Sequence, residues 1–186
     1  MLNKDTNYIV SGLERSGTSL MMQVLQAAGI PIAFDDSRLP DKNNPNGYFE
    51  LEGGRIIKKL MDGDYSLDIY KGKFIKITSY GLQYLPKGKY KIIYMERDIH
   101  EIIDSMSEMA GIHYDNRITQ TLSKLNEYMK ETITKRENTN TIFINYNEFM
   151  RDPDEDLHMI AKFLNLNVNY VSMKSIIDKK LYRIRY

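Results

Sequence analysis

The segment Gly12-Leu13-Glu14-Arg15-Ser16-Gly17-Thr18-Ser19 carries the most specific chemistry in this sequence. It follows the apolar Tyr8-Ile9-Val10 and precedes a stretch of helical period, the strand–loop–helix setting that a phosphate-binding loop requires. Its glycines let the backbone approach an anion, and the unpaired amides of the first helical turn point at one. Thr18 stands where a nucleotide hydrolase carries the lysine that meets the terminal phosphates. The cation has moved inside the loop, to Arg15. Such a loop argues against metal-assisted phosphoryl transfer and for a different anionic ligand. A glycine-rich turn with no ligand is the plain alternative, and the hydroxyls and arginine weigh against it. Glu14 fits poorly beside an anion unless its side chain turns away.

Further along, Arg97 closes the third strand-like run and Ser105 follows eight residues later, two turns into the next helical segment. An arginine at the carboxyl end of a strand points onto the ligand rim, where its fork can pair two phosphate oxygens. Ser105 would add a neutral donor from the same side. Asn44-Pro45-Asn46-Gly47-Tyr48-Phe49-Glu50 leads from turn formers into two aromatics and an acid at an expected helix start. Glu50 reads either as a helix N-terminal acid favoured by the dipole or as a general base. His100 and His113 compete for that role, while His158 lies in a late helix. Lys174, Lys179, Lys180, Arg183 and Arg185 make a basic tail that reads as a solvated face.

The elements that must position these groups alternate. Strands are expected at Tyr8–Val10, Phe74–Ile77, Tyr90–Met95 and Thr141–Ile144. Leu20, Met21, Val24, Leu25 and Ala28 recur at helical spacing, as do Ile99, Ile102, Ile103, Met106 and Ala110. Further helices are expected over residues 55–61, from Ile118 through Leu122, Leu125 and Met129, and over Leu157, Ile160, Ala161 and Leu164. Residues 34–48, rich in Asp, Asn, Pro and Gly, must be loop, and Asp62-Gly63-Asp64 breaks the chain again. This alternation predicts an α/β fold: a three-layer, P-loop-type parallel sheet of about four to five strands flanked by helices. The turns after Val10, Met95 and Ile144 should then share one rim.

Ser11 to Leu20 resembles the 5′-phosphosulfate loop of sulfotransferases that use 3′-phosphoadenosine 5′-phosphosulfate (PAPS), although Glu14 replaces the usual proline. Tyr90-Lys91-Ile92-Ile93-Tyr94-Met95-Glu96-Arg97-Asp98 is similar to that family's strand-Arg-Asp segment, with Ile99 where proline is usual. The resemblance extends to Asn145–Pro153 and covers about Tyr8 to Leu166. It implies metal-independent, in-line transfer of a sulfuryl group from PAPS to a hydroxyl or amine of a small-molecule or glycan acceptor. Gly12, Arg15, Ser16, Gly17, Thr18 and Ser19 would hold the 5′ end of the donor, and Arg97 and Ser105 its 3′-phosphate. Arg15 would serve catalysis and Glu50 would be the base. A P-loop kinase and a non-catalytic nucleotide-binding module are the rival readings.

Composition bounds all of this. At 186 residues, 42% hydrophobic and 27% charged, the chain is expected to form one domain over residues 1–186. A net charge of +1 offers no global field for nucleic acid or an anionic membrane. Zero cysteines exclude disulfides and thiolate chemistry. The polar N-terminus, with no apolar run near membrane-spanning length, predicts a cytosolic protein without an anchor. Acceptor specificity is expected from residues 34–48, 61–70 and 111–116, with Tyr48, Met61, Tyr65, Tyr70, Met109 and Tyr114 as candidate lining. Oligomeric state and acceptor identity are not encoded legibly.

Overall fold

The computed structural model describes residues 1–35, 38–63 and 65–182; Asp64, Arg183 and Arg185 from the readings above lie outside them. Among the described residues a four-stranded, wholly parallel sheet runs in the order β2-β1-β3-β4. The strands are β1 (Asn7–Gly12), β2 (Phe74–Lys76), β3 (Tyr90–Glu96) and β4 (Thr139–Asn145). Two of the three connections contain α-helices: α1 (Thr18–Ala27) and α2 (Ile56–Met61) follow β1, and α3 (Ile99–Ala110) and α4 (Asn116–Lys135) follow β3, while β2 reaches β3 through a 3₁₀ segment, Ser79–Tyr84. After β4 come α5 (Tyr146–Arg151), α6 (Asp154–Leu164) and α7 (Tyr170–Ser175). Of these, α5 and α7 were not legible in the periodicity, because six residues are under two turns.

Side-chain alternation divides the core into two layers. Tyr8, Val10, Ile93 and Met95 face one side and pack with Met21 and Leu25 of α1 and Leu157 and Ile160 of α6. Ile9, Ile75, Ile92 and Tyr94 face the other and pack with Leu60 of α2 and Met129 and Ile133 of α4. The central strands are buried on both faces, which is why they read as unbroken apolar runs.

Register sets the rim. Gly12, Met95 and Ile144 lie side by side across β1, β3 and β4, and Lys76 ends β2 beside Val10. The expected common rim is present, with one change at its third member. No loop follows β4, because Asn145 caps α5 at once, accepting from the amides of Asn147 (2.9 Å) and Glu148 (3.1 Å). Asp98 caps α3 in the same way through the amides of His100 and Glu101. The Asp of the Arg-Asp pair therefore starts the helix that carries Ser105.

The fully buried Tyr94 donates its hydroxyl to Asn126 Oδ1 at 2.7 Å, fastening β3 to α4. Tyr94→Phe leaves that amide oxygen unsatisfied. Urea denaturation should show a loss of about 1–2 kcal/mol, with ligand binding at the rim unaltered.

Candidate functional site

The loop after β1 is shaped by close approach. Gly12 has φ +147°, and a Cβ there would lie 2.4 Å from both the Met95 carbonyl and Ser16 Oγ. Ser16 is fully buried and donates its hydroxyl to the Leu13 carbonyl at 2.7 Å, drawing the loop into a tight turn. Gly17 caps α1 in the left-handed region, at φ +94°, and no side chain accepts from the first-turn amides. A Cβ on Gly17 would meet Tyr146 Cδ2 at 2.3 Å, so the ring of α5 lies directly on this backbone. The result is a helix N-terminus with open amides, backed by aromatic surface and flanked by the Thr18 and Ser19 hydroxyls.

Arg15 leaves this loop rather than curling into it. Its backbone is left-handed (φ +66°), Nε donates to Ser105 Oγ at 2.9 Å, and Nη2 donates to the Asn43 carbonyl at 3.4 Å. The residue expected at the 5′ end of a donor is thus bonded to the residue expected at the 3′ end. Arg97 stands beneath them: Nη1 donates to the Arg15 carbonyl and Nε to Glu101 Oε2, both at 2.9 Å. Its guanidinium centre is 4.6 Å above the Tyr146 ring, in a cation–π contact. The Arg97 and Glu101 side chains are 8% and 2% exposed, a buried pair that the sequence reading missed. Tyr182 completes it by donating its hydroxyl to Glu101 Oε1 at 2.8 Å. Glu101 falls four residues after Arg97 in α3, and that i,i+4 spacing was the available signal.

On the other side of the loop, Lys76 ends β2 with its side chain 5% exposed. Its Nζ lies 3.4 Å from Ser19 Oγ and 3.4 Å from Glu50 Oε1, and it donates to the Tyr48 carbonyl. Burial pushes this ammonium below the ordinary lysine value, and the charge of Glu50 only partly offsets that. The sequence reading gave Lys76 no role. A lysine ending an otherwise apolar strand, at the sheet edge where ligands gather, was the sign to follow. Glu50 also accepts from Arg38 Nη1 at 3.0 Å, and the Arg38 guanidinium lies 3.5 Å from the centroid of the Tyr48 ring. Only a single 3₁₀ turn, Glu52–Gly54, follows Glu50, and α2 begins at Ile56, so no α-helix dipole starts at this acid.

These groups line one open cleft, with Arg15, Arg97 and Ser105 on one side of the loop and Lys76 on the other. A second cavity, floored by Gly53, Gly54, Ile56 and Ile57, shares Glu14, Arg38, Glu50, Lys76 and Thr78 with it. Glu14 is exposed at this junction and adds to the negative charge facing Lys76. No histidine lines either cavity among the described residues; His100, His113 and His158 are exposed. Of the side chains considered for an acceptor pocket, Tyr48 and Met109 line the cleft. Tyr65 is committed elsewhere, to Glu52 and to the Tyr70 hydroxyl. In the tail, Lys174 pairs with Asp154 and Lys179 donates to the Arg151 carbonyl. Among the described residues no group of three or more His, Cys, Asp or Glu is placed to hold a metal ion, and no helix is long and apolar enough to cross a membrane.

Open loop amides with Arg15, Arg97 and Lys76 around them suit an anionic ligand, and comparison with known proteins gives the chain a family. The model of the family described as sulfotransferase domain matches residues 5–183. The chain belongs to the sulfotransferase family. Among solved structures it resembles the sulfotransferase domain of the Synechococcus PCC 7002 olefin synthase, at 14% identity and TM-score 0.62, over 100% of this chain and 90% of that one. A Mycobacterium tuberculosis H37Rv sulfotransferase aligns at 13% identity and TM-score 0.57, over 95% and 71% of the two chains. A mouse sulfotransferase complexed with PAP aligns at 18% identity and TM-score 0.54, over 94% and 63%. A search of curated proteins by sequence gives no match. The protein is therefore a sulfuryl transferase with the fold expected of one, and the kinase and non-catalytic readings are set aside.

Gly17→Ala tests the cradle of this sulfotransferase. The added methyl must displace Tyr146 or distort a left-handed backbone. Thermal and urea melts should show at least about 2 kcal/mol of lost stability, and anion binding at the loop should vanish.

Proposed function

We propose that the cleft takes 3′-phosphoadenosine 5′-phosphosulfate as donor and passes its sulfuryl group to a hydroxyl or amine of a small-molecule or glycan acceptor. The observation that carries this reading is the meeting of Ser19, Lys76 and Glu50 at the exit of the phosphate loop, with Lys76 Nζ 3.4 Å from each of the other two. A cation, an anion cradle and a carboxylate are what an in-line transfer needs at its centre. In this reading Gly12, Ser16, Gly17, Thr18 and Ser19 hold the 5′-phosphosulfate through backbone amides and hydroxyls. Arg97 and Ser105 form the 3′-phosphate corner. Arg15 exchanges its bond to Ser105 for donor phosphate oxygens when the nucleotide enters.

The acceptor oxygen attacks sulfur as the bond from sulfur to the bridging phosphate oxygen breaks. The electron pair goes to that oxygen, giving adenosine 3′,5′-bisphosphate, and the acceptor proton goes to Glu50. Lys76 and Arg15 stabilise charge on the sulfuryl group and on the leaving phosphate. The sulfuryl group carries less charge than a phosphoryl group and the leaving phosphate is weakly basic, so we assign no metal to the step. We read residues 1–186 as one cytosolic domain with this activity.

Adenosine 3′,5′-bisphosphate should raise the melting temperature in the presence of a chelator, while ATP with magnesium should not. Equal stabilisation by both would sink the donor assignment. Arg15→Ala should lower turnover on the order of a hundredfold or more, by analogy with loss of one oxyanion donor. Glu50→Gln should lower turnover on the order of a hundredfold or more, as loss of a general base does, while bisphosphate binding persists.

Lys76 predicts an alkaline limb in the pH–rate profile. Its folded-state value lies below that of a free lysine. A reaction needing the ammonium therefore fails as pH rises through that lowered value, earlier than an ordinary lysine would allow. In Lys76→Arg the guanidinium stays charged to beyond about pH 12, and this alkaline limb should disappear. An unchanged limb in that variant would remove Lys76 from the mechanism.

A further inference from the structure

Glu50 is blocked on the side that matters. Arg38 Nη1 donates to Glu50 Oε1, the same oxygen that faces Lys76 and, through it, Ser19. The other oxygen, Oε2, is turned toward Gly54, so closely that a Cβ on that glycine would lie 2.8 Å from it. An acceptor hydroxyl approaching the transfer centre must therefore meet Oε1, where Arg38 already sits.

The two cations on Oε1 differ in freedom. Lys76 is 5% exposed and held by the Tyr48 carbonyl and Ser19, so it stays. Arg38 has a 44% exposed side chain, and its other contact is the face of Tyr48 at 3.5 Å. A stacked guanidinium can turn in its plane without leaving the ring. The ring itself is fixed, because the Tyr48 hydroxyl donates to Asp41, whose carboxylate also accepts from the amides of Asn43 and Asn44. Arg38 is thus a cation on a fixed pivot, at the junction between the nucleotide cleft and a cavity whose floor is glycine and isoleucine. Among the described residues Arg38 and Lys76 are the cations lining that cavity, and Lys76 is held in place, so an acid group seated there has Arg38 as its mobile partner.

We propose that the acceptor carries a carboxylate, and that Arg38 binds it and in doing so leaves Glu50 Oε1 free to receive the acceptor proton. The proposal rests on the sulfuryl-transfer reading of the cleft and adds the class of acceptor. An acceptor without the acid group leaves Arg38 on Glu50 and reacts slowly. Arg38 is then a specificity residue, and its contact with Glu50 is the resting state of the site.

Benzoate and its neutral isostere benzamide test this without knowledge of the natural acceptor. Each is titrated into protein saturated with adenosine 3′,5′-bisphosphate, following the Arg38 side-chain Nε–H resonance, assigned by its loss in Arg38→Gln. Saturable binding of benzoate in the millimolar range, at least tenfold tighter than benzamide, is expected. In Arg38→Gln, backbone amide shifts should report at least tenfold weaker benzoate binding, with bisphosphate stabilisation unchanged. Equal binding of the two compounds, no benzoate binding, or full benzoate affinity in Arg38→Gln would each overturn the proposal. Failure of the bisphosphate to stabilise the wild-type protein would instead count against the donor reading, and the same titration on the free protein still decides the role of Arg38.

Discussion

A charged ammonium buried at the end of an edge strand governs much of this molecule. Lys76 is carried below the surface by β2, between the apolar neighbours Ile75 and Ile77. A cation taken out of water must find compensation nearby, and the sheet offers none. The chain supplies it from the loop of residues 38–50, which brings the Tyr48 carbonyl and the Glu50 carboxylate onto Nζ. The loop is then anchored at its base, where the Asp35 amide donates to the Glu50 carbonyl at 2.8 Å. One buried charge thereby fixes the path of the segment that walls the cleft, and it places an acid beside the phosphate loop.

The opposite corner is solved differently. Arg97 is neutralised in advance by Glu101, stacked on Tyr146 and bonded to the Arg15 backbone. Such a network holds the guanidinium rigidly before any ligand arrives, which lowers the ordering cost of binding. Its charge is partly spent on Glu101, so in the proposed donor-binding role it would rely on Arg15, Ser105 and the loop amides acting with it. Tyr146 ties the arrangement to the fold, with one face on Gly17 and its ring beneath Arg97.

Much of the architecture was legible because local rules dominate it. Short, mostly apolar runs marked all four strands, and three- to four-residue spacing marked α1, α3, α4 and α6 within a residue or two at most ends. The short α5 and α7 escaped because six residues show no period, although Asn145 and Asn169 stand as their caps. The expected helix at Glu50 failed for a related reason: turn formers followed by an acid mark a helix start only if helical residues follow, and here Gly53 and Gly54 intervene.

For the site, the sequence by itself determined the phosphate loop, because glycine at positions 12 and 17 and the hydroxyls between and after them are a local backbone requirement. It also determined that Arg97 and Ser105 belong to the same rim, since both follow from strand and helix period. Only the tertiary structure decided which charges meet. The pairing of Arg15 with Ser105 spans ninety residues of sequence, and that of Lys76 with Glu50 joins a loop to a strand across twenty-six. Such contacts depend on how segments remote in sequence settle against one another to compensate buried charge, and no local pattern encodes that choice.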